Sequence, residues 1–126
     1  MFLGSAAHCS QALNPARWPA LEAGLGWETS ASYVEMQCGS AIDAINHAAW
    51  KIKAGAAEIV IAGGMESYSQ IPAKFSMSLP PYQLIPPAPL QQTLSPVAEE
   101  QIGMGLTAEN LQALYGIPRE AADEFA

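Results

Sequence analysis

The sequence predicts an α/β fold, and three stretches carry that expectation. Residues 33–36 form a short extended run, Tyr-Val-Glu-Met, which gives way at Cys38, Gly39 and Ser40 to an alanine-rich helical pattern. In that pattern Ile42, Ile45, Ala49 and Ile52 recur at offsets of three, four and three, the spacing of one face of a helix. Residues 58–62, Glu-Ile-Val-Ile-Ala, then make a continuous apolar run of the kind found in strands covered on both faces of a parallel sheet. Strand, helix and strand in that order form a right-handed crossover unit.

The elements follow in order. Asn14 before Pro15 is a helix start: an amide side chain that caps free N–H groups precedes a residue whose fixed φ suits the first turn. The helical pattern covers residues 15–23 and stops at Gly24. A strand is expected over residues 29–36, running directly into Cys38. Ser40 and Asp43 have the spacing of a capping box for the second helix, which ends at Gly55. Ala41, Ala44 and Ala48 on its other face would let a second backbone approach closely. Gly63, Gly64, Met65, Glu66 and Ser67 come off the end of the strand at 58–62, where α/β proteins place ligand sites.

From Tyr68 the composition changes, and seven of the ten prolines lie between Pro72 and Pro96. Such a stretch cannot be a sheet interior or a helix, and it reads as a surface excursion or the start of an inserted subdomain. Helical pattern resumes with Met104, Ala108, Leu111 and Tyr115 on one face, stops at Gly116, and restarts at Pro118. The domains expected are therefore a core over residues 1–67 and a proline-rich excursion with helices over 68–126. No internal repeat is present.

With 126 residues, half of them hydrophobic, the chain has material for one domain. Five Lys and Arg against twelve Asp and Glu leave no basic cluster to neutralise a phosphate backbone, so nucleic acid is excluded as the expected partner. A phosphate-bearing small molecule remains compatible, held by backbone N–H groups and one or two residues among Arg17, Lys51, Lys53, Lys74 and Arg119. No basic leader or span of ~20 apolar residues is seen, which makes the expected location cytoplasmic and gives no membrane partner. In a reducing compartment Cys9 and Cys38 read as two free thiols without metal-ligand spacing, so no metal site is expected.

Cys38 is the candidate catalytic residue. The bland reading of a cysteine is a small buried apolar side chain, and Cys9, with no special context, is read that way. At 38 the preceding strand, the following helix and the adjacent glycine make the geometry of an exposed nucleophile on a tight turn. Unpartnered N–H groups and the positive end of the helix dipole would favour its thiolate there. His47 lies one helical turn beyond Asp43 and is expected to form a solvated pair with it; His8 has no assigned role.

Five segments in sequence, Asn14-Pro15-Ala16-Arg17 with residues 20–25, Cys38-Gly39-Ser40, residues 62–67, residues 104–110 and residues 123–126, resemble the thiolase family in the family's own order. The resemblance implies a layered α/β/α fold, here its N-terminal half in part, followed by the start of an inserted loop domain. It implies acyl transfer between coenzyme A thioesters, as thiolytic cleavage of a 3-ketoacyl-CoA or the reverse Claisen condensation. Cys38 matches the cysteine that carries the acyl group, with its own backbone N–H contributing to an oxyanion hole. Coenzyme A and acyl-CoA would be substrates, with no permanently bound cofactor. The region of Met104 resembles the loop domain that lines the acyl pocket, making Met104 the candidate substrate contact, with helix packing as the competing role. Gly63 and Gly64 match a close-packed turn, Glu66 and Ser67 its structural hydrogen bonders, and Arg17 an arginine near a subunit interface, with a surface ion pair as its alternative. Full-length members are usually homodimers or homotetramers of fatty acid metabolism.

Three departures qualify the likeness. Ala41 stands where the family usually has glycine, and Gly103 where some biosynthetic members have histidine. The family's activating histidine, its proton-exchanging cysteine and its Asn-Glu motif belong to a second half not found in these residues. The resemblance places the first residue near the end of the family's second strand and the last within the inserted domain, without the central first strand. Expressed alone, such a segment is expected to be poorly soluble or partly unfolded, and inactive. The alternatives are a ketoacyl-synthase-type condensing enzyme, or a catalytically inactive thiolase-like protein that binds acyl-CoA or lipid.

Overall fold

Two glycine strand ends and one alanine-faced helix set the geometry of the N-terminal unit in the computed structural model, which describes residues 1–8, 11–76, 86–90 and 92–126. The chain divides into two units, Met1–Lys74 and Phe75–Ala126. In the first, strand β1 (Phe2–Gly4) lies between β2 (Ser32–Val34) and β3 (Ala62–Gly64), all parallel, in the order β2-β1-β3. Phe2, Leu3 and Gly4 stand opposite Ser32, Tyr33 and Val34 on one side and Ala62, Gly63 and Gly64 on the other. The ladder is extended by Ser32 N–H to Met1 O at 2.9 Å, Phe2 N–H to Ile61 O at 2.8 Å and Met65 N–H to Gly4 O at 2.9 Å.

Helix α1 (Arg17–Glu22) begins as the sequence predicts, with the Asn14 side-chain oxygen accepting from Ala16 N–H at 3.0 Å and Arg17 N–H at 3.1 Å. The Asn14 amide also donates to Ala31 O at 3.1 Å, which ties the helix start to the entrance of β2. Gly24, at φ +78°, turns the chain out of the helix. Helix α2 (Ser40–Lys53) crosses the sheet and buries Ser40, Ala44 and Ala48. It ends in a left-handed glycine, Gly55 at φ +69°, with Ala56 N–H donating to Lys51 O at 3.0 Å.

The buried hydrophobic side chains among the described residues are Ala16, Ala20, Ala44 and Ala48. Small side chains meet bare backbone here. A Cβ on Gly4 would stand 2.5 Å from the carbonyl carbon of Ser40 and 2.8 Å from its Cβ, and one on Gly64 would stand 2.8 Å from the Cβ of Ala41. Glycine at both strand ends is what lets the first turn of α2 sit directly on the sheet.

Four expectations are revised. The opening residues, expected near the end of a second strand with the central strand missing, instead form β1, which occupies the central position of the sheet. The third strand pairs at residues 62–64 rather than 58–62, because in this register Phe2 faces Ala62 and β1 has nothing opposite residues 58–60; Ile59 is accordingly 88 % exposed. Ser40 and Asp43 form no capping box, since the N-cap is Gly39 without a side-chain bond and the Ser40 hydroxyl turns elsewhere. Finally, the alanine face of α2 packs on the sheet as expected, but the face bearing Ile42, Ile45 and Ile52, expected to be covered as well, is exposed, as is Trp50.

In the second unit a two-residue antiparallel pair joins β4 (Phe75–Ser76) to β5 (Ala88–Pro89). Much of the proline-rich stretch, residues 77–85 and 91, lies outside the described residues. Helix α3 (Met104–Tyr115) ends at Gly116, φ +61°, where Ile117 N–H reaches back to Gln112 O at 3.1 Å, and α4 (Arg119–Phe125) follows Pro118. Both match the sequence pattern. No helix among the described residues is long and apolar enough to cross a membrane.

Candidate active site

The connection from β2 to α2 makes the site. Gln37 adopts φ +48°, a left-handed conformation that side-chain-bearing residues rarely take. The turn around it is closed by Gly39 N–H to Met36 O at 3.0 Å and Ser40 N–H to Gln37 O at 3.1 Å. The Ser40 hydroxyl accepts from Met36 N–H at 2.8 Å, and its single proton serves Gln37 O at 2.6 Å or Ser5 O at 3.0 Å. Cys38 sits at the outer point of this turn, one residue before the N-cap of α2, and is an exposed free thiol.

The N–H groups of Cys38, Ala41 and Ile42 make no hydrogen bond among the described residues. Unbonded N–H groups at the positive end of a 14-residue helix are donors of the kind that can receive an oxyanion or a phosphate. Cys38 opens into a cavity of about 340 Å³ whose walls include Gly4 and Ser5 from the end of β1, Ala41 from α2, and Gly64 and Glu66 from the end of β3. The cavity therefore lies over the carboxyl ends of the parallel strands β1 and β3.

The loops at that end are fastened together. A Glu66 carboxylate oxygen accepts from Ala6 N–H at 2.6 Å and Ala7 N–H at 3.3 Å, joining the segment after β3 to the segment after β1. Ser5 donates to Ala7 O and lies 3.0 Å from the hydroxyl of Tyr33 on β2. A second, more apolar cavity of about 250 Å³, lined by Pro15, Trp18 and Pro19, shares Ser5, Met65 and Glu66 with the first.

The other sequence candidates fall as follows. Gly64 is close-packed against Ala41, whereas a Cβ on Gly63 would meet nothing within 4 Å, and both lie in a strand rather than a turn. Arg17 binds the carbonyls of Thr29 and Trp27, the latter at 3.0 Å, so it braces the connection from α1 to β2 and forms no ion pair among the described residues. His47 stands 3.6 Å from Asp43 as expected, and its ring stacks on Phe2 with centroids 5.6 Å apart. His8 packs edge-on to Tyr33. Met104 is the first residue of α3 in the second unit, 66 % exposed, and Gly103 is the N-cap of that helix. Cys9 lies outside the described residues. Gly4, Ser5 and Tyr33 escaped the sequence reading; the one available signal was the run of small residues, Gly-Ser-Ala-Ala, directly after the first apolar residues.

Residues 1–126 match the family described as thiolase, N-terminal domain. An acetyl-CoA acetyltransferase from Cupriavidus necator is 38 % identical over 132 aligned positions, covering all of this chain and 33 % of that protein. A probable acetyl-CoA acyltransferase from Staphylococcus aureus is 37 % identical over 131 positions, and an acetyl-CoA acetyltransferase from Chromobacterium violaceum 38 % over 130, each again covering the whole chain and 33 % of the relative. The chain thus spans about a third of the length of these curated relatives. With a family match along its whole length, the chain belongs to the thiolase family, in the part that forms the N-terminal domain.

Proposed function

We propose that Cys38 is the acyl-accepting residue of an acetyl-CoA acyltransferase, acting in a protein longer than this chain. Its sulfur attacks the 3-keto carbonyl of a 3-ketoacyl-CoA, the C2–C3 bond breaks, and the acetyl-CoA carbanion takes up a proton. The acyl group left on Cys38 then passes to the thiol of a second coenzyme A. In the biosynthetic direction the acetyl group of one thioester is held on Cys38 and joined to the carbanion of another. At each addition the negative oxygen is received by the N–H of Cys38 itself.

The observation that carries this reading is an exposed cysteine, opening into a cavity, whose own N–H has no partner among the described residues. The acyl-transfer names of the relatives support it. The same reading makes residues 1–67 part of a layered α/β/α core and 68–126 the opening of a loop domain, with Met104 touching the acyl or pantetheine portion of the substrate. It also holds that this chain alone is inactive, since the proton-transferring groups belong to the family's second half, and that the full protein is a cytoplasmic homodimer or homotetramer of fatty acid metabolism.

Limiting iodoacetamide at neutral pH tests the nucleophile. Cys38 is expected to be alkylated well before Cys9, and incubation of the full-length protein with acetyl-CoA to leave one acetyl group on the peptide containing Cys38. Equal, slow labelling of both cysteines would instead favour a thiolase-like protein that binds acyl-CoA or lipid without turnover.

A further inference from the structure

We infer that Ser40 is a positioning residue for Cys38, holding Gln37 in its left-handed conformation and so fixing where the sulfur and the Cys38 N–H point. The inference rests on the reading of Cys38 as a nucleophile. A left-handed non-glycine residue persists only where its surroundings over-determine it. At Gln37 the Ser40 side chain does this from inside. It is 2 % exposed, and its hydroxyl contacts Met36 N–H at 2.8 Å, just upstream of the strained residue, and the strained residue's own carbonyl, Gln37 O, at 2.6 Å. The same oxygen lies 3.0 Å from Ser5 O, so the turn is anchored to the end of the central strand. Gly4 makes room for this anchor, because a Cβ there would collide with Ser40.

A serine at the start of a helix ordinarily caps the N–H groups ahead of it. Here the hydroxyl points backwards, to the strand and the turn, and does not cap the N–H groups ahead. If Gln37 relaxed to negative φ, the peptide between it and Cys38 would rotate and carry the Cys38 N–H with it. Ser40 therefore acts through backbone on both the attacking atom and the oxyanion donor, without touching substrate.

The test is the ratio of alkylation rates of Cys38 and Cys9 by iodoacetamide, read peptide by peptide, in wild type, Ser40→Ala, Gln37→Gly and the double variant. Ser40→Ala is expected to lower the ratio about tenfold, the order expected when a reacting group is misplaced by less than an ångström. Gln37→Gly in the Ser40→Ala background should restore it to within about twofold of wild type, since glycine takes φ +48° without a Cβ penalty. A merely structural serine would not be rescued in this way. An unchanged ratio in Ser40→Ala, or no recovery in the double variant, overturns the inference alone. If Ser40→Ala does not fold, a double variant that folds with the recovered ratio supports it, and one that remains unfolded overturns it. Equal labelling of both cysteines in wild type would overturn the nucleophile reading and this inference with it.

Discussion

Replacing Gly4 with alanine tests whether bare backbone at the end of β1 is what seats the Cys38 turn. The new Cβ would stand 2.5 Å from the Ser40 carbonyl carbon and closer still to its oxygen. The start of α2 must then retreat by about 0.9 Å, the gap between 2.5 Å and the 3.4 Å at which ordinary contact begins. It has little freedom to do so. Ser40 is bonded to Met36, Gln37 and Ser5, and Gly4 itself receives Met65 N–H at 2.9 Å. A rigid overpacked site of this kind costs about 3 kcal/mol, which for a unit of this size lowers Tm by roughly 12–24 °C. The control is Gly63→Ala, one residue from the matching tight position on β3: its Cβ meets nothing within 4 Å, so the change should stay within about 0.5 kcal/mol. Thermal unfolding of dilute protein followed by far-ultraviolet circular dichroism reads both. If Gly4→Ala melts within about 2 °C of wild type, or the two variants fall together, the seating of α2 on bare strand ends is refuted.

Three further outcomes are expected. Arg17→Ala removes two charged donors from the carbonyls of Trp27 and Thr29 and should lower stability by about 1.5 kcal/mol; a urea midpoint equal to wild type would show that the guanidinium braces nothing. Glu66→Ala should cost about 1 kcal/mol, modest because the side chain is exposed, and should speed hydrogen exchange at the amides of Ala6 and Ala7, where unaltered exchange counts against the clasp. Ile45→Lys, on the uncovered face of α2, is expected to reduce binding of an apolar dye and self-association while leaving stability within about 0.5 kcal/mol; a large loss of Tm would mean that Ile45 is packed.

Where a segment's own residues settle its conformation, the sequence was sufficient. Asn14 and Pro15 start α1, Gly55 and Gly116 end helices in left-handed geometry, and Cys38 lies at the turn between a strand and a helix. Decisions made by pairing across the sheet were not legible. Three residues of β1 are too few to show a period, although they define the register of everything beside them. The apolar run at 58–62 reads as the strand, yet the ladder falls on Ala62, Gly63 and Gly64, because strand position depends on what lies opposite. The face of α2 was equally ambiguous. Isoleucines advertise a core, but the sheet is close enough to accept only methyl groups. At the site the sequence located the sulfur, whereas the backward-pointing hydroxyl of Ser40 and the reach of Glu66 to the first loop depend on segments brought together only by folding.

The alanine seam beneath α2 has a thermodynamic consequence. Two buried methyl groups, those of Ala44 and Ala48, contribute on the order of 1–2 kcal/mol of adhesion, while covering Ile42, Ile45, Trp50 and Ile52 on the opposite flank would contribute several-fold more. The helix is thus placed by shape against one neighbour and holds most of its hydrophobic driving force in reserve for another. Any body that came to rest on that flank would stiffen the platform of the Cys38 turn from behind.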